Sequence, residues 1–380
     1  MAGWDAEVAV VGLGAWGASA LWQLTARGVE AVGLDRHEPG HPFGSSHGGS
    51  RMFRVTCLEH PHLVPLARRS LELWHQLEQA HGQQLFVPAG GLLIGPEDGL
   101  IAGGTLRAAR VHGIEVETLT PARLRERYPR QAALPADHIG VWEPSAGILR
   151  PEESVRAAVG LARAAGARVH TGTRVDAIEL VPGGALVRTA QTELRVRQVV
   201  VAAGAWLGSL VPGLPVETYR MPITWFRPRP GHEDGFGLAD LPVFMREIEG
   251  GRVLWGNGAE NGHDVKLGLE EHGRVPTPLD PLTDDRAVLP EDWTELGSLL
   301  PQKLPGLADV PSKVAVCMYA KTPDGQFVIG RPGGDSRLVV AGGCNAHGFK
   351  HATGIGELLA DLVQHKLAAI DAGFLSPDRF

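Results

Sequence analysis

The sequence predicts an α/β protein of two interleaved domains, one layered around parallel strands and one built on a mostly antiparallel sheet. Three observations predict it. The chain opens on the apolar run "EVAVV" (7–11), which ends at Gly12, Gly14 and Gly17. After a helical pattern to about Arg27, a second apolar run, "VEAVGLD", closes on Asp35. Apolar runs entering small-residue turns return at "QVVVAAGAW" (198–206) and "RLVVAGGCNAHG" (337–348). Residues 216–311 carry many prolines and aromatic patches such as "ITWF", as expected of a mostly antiparallel α+β unit. The expected division is 1–85, 148–215 and 312–380 in the first domain and 86–147 and 216–311 in the second.

Each element has a local reason. The loop "RHEPGHPFGSSHGGSRMFR" (36–54) is too long and too rich in glycine, serine and cations for a simple connection. A helix over 62–80 follows, with Leu63, Leu66, Leu71, Trp74 and Leu77 at helical spacing, so Trp74 reads as core. "GGLLIG" reads as a strand and "TLRAARVHG" as a helix; in "LTPARLRERYP", Thr120 is the N-cap and Pro121 the first helical residue. A helix over 151–165 leads back to parallel strands, a hairpin joins "GALVRTA" to "TELRVR", and a separate strand covers 198–203. In "AVCMYAKT" (315–322) alternation puts Cys317 on one face with Tyr319, where a free thiol by itself reads as core. The last helix, 350–367, aligns Ile355, Leu358, Leu359, Leu362 and Val363, leaving its N-terminus at "AHGFK" free to face a ligand.

Composition narrows the partners. The 380 residues are 43% apolar, enough for a substantial core, and 43 acids against 36 bases give a net charge of −7 without long runs of either sign. No footprint for nucleic acid or an anionic membrane results, and a small-molecule partner is expected. No apolar segment approaches the roughly 20 residues of a membrane span, and no leader pattern precedes "EVAVVGLG", so a cytoplasmic location is expected. Cys57, Cys317 and Cys344 are too few and scattered for a disulfide framework, and no ligand spacing suggests a metal.

The opening motif carries definite chemistry. Gly12 permits a tight turn, Gly14 lets backbone N–H groups approach a pyrophosphate, and Gly17 allows close packing of helix on strand. The helix then turns its positive end to the phosphates, and Asp35 accepts hydrogen bonds from a ribose. Such a fingerprint does not distinguish NAD from FAD. Its place at the head of the chain and the later returns to glycine-ended strands favour FAD, hence a Rossmann-type FAD-binding domain interleaved with an antiparallel-sheet α+β substrate domain.

With that fingerprint, "GSSHGGSR" (44–51), "VCMYAKTPD" (316–324) and "HGFK" (347–350) together resemble the monomeric sarcosine oxidase and N-methyltryptophan oxidase group of D-amino-acid-oxidase-like flavoenzymes, over essentially the whole chain. The resemblance implies FAD held covalently through Cys317, with Ser45, Ser46, Val175, Gly342, Gly343, His347, Gly348 and Lys350 also lining the cofactor. Arg54 and Lys350 match positions that hold a substrate carboxylate, and Met245 a further substrate neighbour. His47 and Arg51 match neighbours of the flavin ring, where positive charge favours the reduced anion; Lys266 matches a lysine implied in oxygen activation.

Two positions depart from the group. Glu270 stands where the pattern has an active-site histidine, with His272 nearby, and Trp255 replaces a tyrosine of the substrate pocket. The implied activity is oxidation of secondary amines, N-methyl or cyclic amino acids, by a monomer that reduces O2 to H2O2. The alternatives are a biosynthetic flavin enzyme acting on a cyclic imino acid, an NAD-dependent dehydrogenase, and a non-catalytic binding module.

Overall fold

The opening strand, Ala6–Val11, has no polar side chain but Glu7 and is buried at every other position, the pattern of a strand covered on both faces. It lies between Ala31–Leu34 and Glu193–Val201, parallel to both; Arg168–His170 and Leu338–Gly342 extend the parallel layer on either side. The helices Ala15–Ala26, Leu63–His81, Pro151–Ala164 and Ala352–Val363 cover this sheet through Leu21, Leu24, Leu66, Trp74, Val155 and Ile355, all at most 2% exposed. Truncating such a side chain to alanine costs about 2–5 kcal/mol. The computed structural model describes residues 3–271, 278–368 and 370–380, without the side chain of Glu271. His272 lies outside the described residues.

The helix expected over 62–80 spans Leu63–His81, and Thr120 caps Pro121–Arg127 through its hydroxyl, which accepts from the Arg123 N–H at 3.4 Å. The hairpin at 184–197 forms, but no separate strand follows it. Glu193–Val201 is one nine-residue strand, antiparallel to Gly184–Thr189 over its first half and parallel to the opening strand from Val196 onward. No glycine or proline interrupts "ELRVRQVVV", so nothing breaks it in two. The last helix is shorter than the expected 350–367: a 3-10 turn at Phe349–His351 leads into Ala352–Val363.

The second sheet has eight strands in the spatial order Lys313–Lys321, Glu217–Phe226, Val265–Glu271, Arg252–Asn257, Val243–Ile248, Gly91–Pro96, His138–Glu143 and Glu117–Leu119. Every pairing is antiparallel except that of Val243–Ile248 with Gly91–Pro96. The strand carrying Cys317, expected with the cofactor segments, therefore pairs its backbone into this sheet, residue for residue against Glu217–Trp225. One face packs Leu92, Phe244, Leu254 and Leu267 on Leu296 and Leu300 of the helix Thr294–Lys303. The other face carries Cys317, Tyr319, Lys266, Gly268, Glu270, Trp255 and Met245, the period-two partners of one another across the register. That face fronts a cavity between the two sheets. Among the described residues no helix is long and apolar enough to cross a membrane, and no cluster of metal ligands occurs.

Candidate active site

The first end of the cavity is a cradle of backbone. Gly12 has φ 88°, and a Cβ on it would stand 2.7 Å from the Ala202 carbonyl; one on Gly17 would stand 1.8 Å from the Gly12 carbonyl. No side chain fits at either place. Gly14 opens the helix Ala15–Ala26 without a side-chain cap of its own; instead the Ala15 N–H donates to Ser46 Oγ at 3.1 Å. Asp35 accepts from the Leu13 and His37 N–H groups at 2.7 and 2.8 Å, fixing its carboxylate at the strand end.

From this cradle the cavity runs for about 1280 Å³ past Val175, Ser45 and Cys317 to Gly342, Gly343, His347, Gly348 and Lys350. That exceeds the roughly 300–1,000 Å³ of a single small-molecule pocket and leaves room for an extended dinucleotide and a substrate together. Trp206 Nε1, Trp255 Nε1, His347 Nδ1 and Glu59 Oε2 all belong to wall residues and are buried without a hydrogen-bond partner. Native interiors leave few such atoms, so the wall is built to receive polar groups of a ligand. The residues fit FAD.

Midway, two strands and a loop converge. Gly48 and Gly49 have φ of 100° and 73°, and the Glu152 carboxylate accepts from both N–H groups, at 2.6 and 3.2 Å, holding the turn open. Lys266 Nζ donates to the Gly48 and Ser50 carbonyls at 2.9 and 2.6 Å and is 4% exposed. Burial and the adjacent Arg51 push its pKa well below the ordinary lysine value. Arg51 donates to the Ser45 and Ser50 carbonyls and comes within 3.9 Å of Cys317 Sγ. Burial pushes the Cys317 thiol up, while Arg51 and Lys266 pull the other way. His47 departs from the expected positive flavin neighbour: it is outside the cavity wall, and burial with Arg51 pushes it down to about 3. The cationic groups here are Arg51 and, below its lowered pKa, Lys266.

At the far end, Arg54 and Lys350 are brought together, but around a third residue. Glu59 Oε1 accepts from Arg54 at 2.6 Å and from Lys350 at 3.0 Å. The two cations hold Glu59 well below the ordinary carboxylate range although burial opposes them. Glu143, fully buried, accepts from the Val55 N–H at 2.6 Å and the Thr56 N–H at 3.2 Å, so Arg54 leaves a clamped backbone. Trp74 is core as expected, and its Nε1 also donates to the Lys350 carbonyl at 3.0 Å, propping Lys350 from behind. Trp255 lies over Gly268, where a Cβ would come within 2.0 Å of the indole. Met245 flanks it in register, and Glu270 lines the cavity beyond.

His47, His347 and His351 are buried and neutral in the fold; burial pushes His347 down to about 4 and His351 well below its ordinary value. Unfolded histidines protonate near about 6.5, so on acidification the unfolded chain binds more protons than the native one. Their contribution to stability is full above about pH 6.5 and is lost as pH falls, down to about 4 for His347 and about 3 for His47. Thermal melts across that window are expected to fall in midpoint, and His347→Gln to flatten the decline.

Sequence reasoning missed Glu59, Glu143, Glu152 and Tyr319. Tyr319 was within reach, since alternation already set it beside Cys317. Glu143 and Glu152 act across 87 to 104 positions of chain and Glu59 reaches Lys350 across 291, which leaves no local signal, although its other partner, Arg54, is only five residues away.

A glycine-cradled dinucleotide site opening onto a sheet-walled reaction chamber defines a redox enzyme of the two-domain dinucleotide-dependent class. The chain belongs to the FAD dependent oxidoreductase family, whose profile matches residues 7–362, and the nicotinamide alternative falls away. It is 34% identical to monomeric sarcosine oxidase of Streptomyces avermitilis over 98% of this chain and 97% of that one. It is 32% identical to N-methyl-L-tryptophan oxidase of Citrobacter koseri over 98% and 99%. Among solved structures it resembles NikD, an unusual amino acid oxidase essential for nikkomycin biosynthesis, with TM-score 0.85, 25% identity and coverage of 98% and 97%.

Proposed function

We propose that the protein oxidises the C–N bond of secondary amines that carry a carboxylate, N-methyl or cyclic amino acids, and passes the electrons to O2 to give H2O2. The observation that carries this reading is the Arg54–Glu59–Lys350 cluster in the same cavity as the dinucleotide cradle. Two cations around one carboxylate leave a positive charge for a substrate carboxylate, which Arg54 can take as a fork and Lys350 as a point charge. FAD, when bound, supplies the two-electron chemistry. The chain's own part is to fix the carboxylate end, to exclude water behind Trp255 and Met245, and to hold Lys266 on the backbone carbonyls of Gly48 and Ser50. A substrate nitrogen in its neutral form needs no strong base, because its lone pair assists the departure of hydride.

The relatives' names, an oxidase of sarcosine and one of N-methyl-L-tryptophan, support this substrate class. The test is anaerobic addition of N-methyl amino acids and piperidine-2-carboxylate to the yellow protein. Bleaching of the flavin is the expected result, followed by peroxide once air is admitted. If only ring substrates bleach it, the cyclic reading stands.

Cys317 is the proposed covalent anchor. Its Sγ is on a cavity-wall residue between Arg51 and the Met318 carbonyl, where burial raises the thiol's pKa overall and Arg51 and Lys266 partly offset that. Acid precipitation is expected to leave yellow colour in the pellet of the wild type and in the supernatant of Cys317→Ser. Colour in both supernatants would return Cys317 to packing.

A further inference from the structure

Glu270 has no counterpart among the groups used so far. It sits on the cavity face of Val265–Glu271, two residues past Gly268 and its covering Trp255, in register with Val253. Among the described residues no cation lies within ion-pair distance of it. Arg252, the nearest on the adjoining strand, is committed to Glu295 at 2.8 Å and to the Glu249 carbonyl. Lys266, on the same face, is committed to two backbone carbonyls. Arg54 is near enough to act on Glu270, but so is Glu59, and burial adds to the side that disfavours charge.

A count of charges decides what this carboxylate awaits. Arg54 and Lys350 are matched by Glu59 and one substrate carboxylate. An N-methyl amino acid with a neutral side chain therefore leaves Glu270, half-buried in the cavity wall, without a partner for its charged form. On the outer wall Arg220 is paired with Asp292 at 2.6 Å, and Glu291 adds another acid.

Resting on the amino-acid oxidase reading above, we infer that the substrate bears a second cation, an ammonium or guanidinium on its side chain, and that Glu270 is the residue that selects it. The substrate class is N-alkyl derivatives of basic amino acids. A cation at Glu270 restores its charged form, and the pair forms out of water, where it discriminates strongly against neutral side chains.

Calorimetric titration of the holoenzyme tests this without turnover, using pentanoate against 5-aminopentanoate, matched ligands that differ by a distal ammonium. Wild type is expected to bind 5-aminopentanoate at least about tenfold tighter, and Glu270→Gln to bring the two within about twofold. Glu270→Asp, with a shorter reach, is expected to favour 6-aminohexanoate instead. Equal binding in the wild type, or a preference that survives Glu270→Gln, overturns the inference. So does loss in Glu270→Gln of any preference for N,N-dimethylglycine over its carbon isostere 3-methylbutanoate, which would assign Glu270 to the reacting nitrogen. Anaerobic bleaching by Nα-methyl-lysine and by N-methylalanine is scored separately: failure of both strikes the oxidase reading, and the binding ratios still decide the role of Glu270.

Discussion

Replacing Lys266 with methionine is expected to slow the reaction of the reduced flavin with oxygen by roughly 10²–10³-fold, the usual loss when one preorganised charge is removed from a dry site. Lys266 is 4% exposed and aimed by the Gly48 and Ser50 carbonyls, so its ammonium needs no rearrangement to meet negative charge forming on oxygen. Methionine fills a similar volume and removes two hydrogen bonds, but the Ser50 carbonyl keeps Arg51 as a donor and the Gly48 carbonyl keeps the Ser50 N–H, so each loss lowers stability by only about 0.5–1.5 kcal/mol. The comparison of half-reactions removes that ambiguity. Stopped-flow reoxidation should suffer far more than anaerobic reduction by substrate, and equal losses in both would end the assignment. Because burial and Arg51 hold the lysine well below its ordinary value, the oxidative rate should fall as pH rises through that lowered pKa.

Arg54→Ala is expected to reduce kcat/KM for N-methyl amino acids by about 2–5 kcal/mol in transition-state binding, roughly 30- to 5,000-fold, mostly through KM. Arg54 is 3% exposed and bonded to Glu59 and to the Thr56 carbonyl. Its loss leaves Glu59 to neutralise Lys350 alone, and the cluster then has no net charge for a substrate. The matching amine without a carboxylate should be turned over with nearly unchanged KM. A similar rise for that amine would mean that Arg54 shapes the cavity and does not bind the acid. Arg54→Lys, which restores charge without the fork, should recover part of the loss.

What the sequence made legible was whatever depends on neighbours in the chain. Gly12, Gly14, Gly17 and Asp35 sit within one strand–helix–strand unit, and their roles follow from backbone geometry alone. Thr120 and Pro121 announce a helix for the same reason. The orientation of Glu270 was also within reach: Lys266 faces the cavity, and two steps of period two bring Glu270 to the same face. The pairing of Lys313–Lys321 with Glu217–Phe226 was not, because both are apolar strands that would suit either sheet and only the assembled register chooses. Glu59 was opaque for a different reason. Between two cations a buried carboxylate is stable, and Arg54 stands five residues before Glu59, but nothing near "CLEHP" says that Lys350 will be there.

The order of strands bears on how the protein is made. The opening strand, Ala6–Val11, meets one neighbour at Ala31–Leu34, but the other, Glu193–Val201, arrives halfway along the chain, and that strand's own partner is Leu338–Gly342. The second sheet likewise waits for Lys313–Lys321. At ribosomal rates of about 5–20 residues per second, synthesis of the whole chain takes roughly 20–75 s. For most of that time the glycine cradle is exposed beside unpaired strand edges. Cofactor capture thus waits for Leu338–Gly342, and growth with ample flavin should raise the yield of folded protein by shortening the life of the open form.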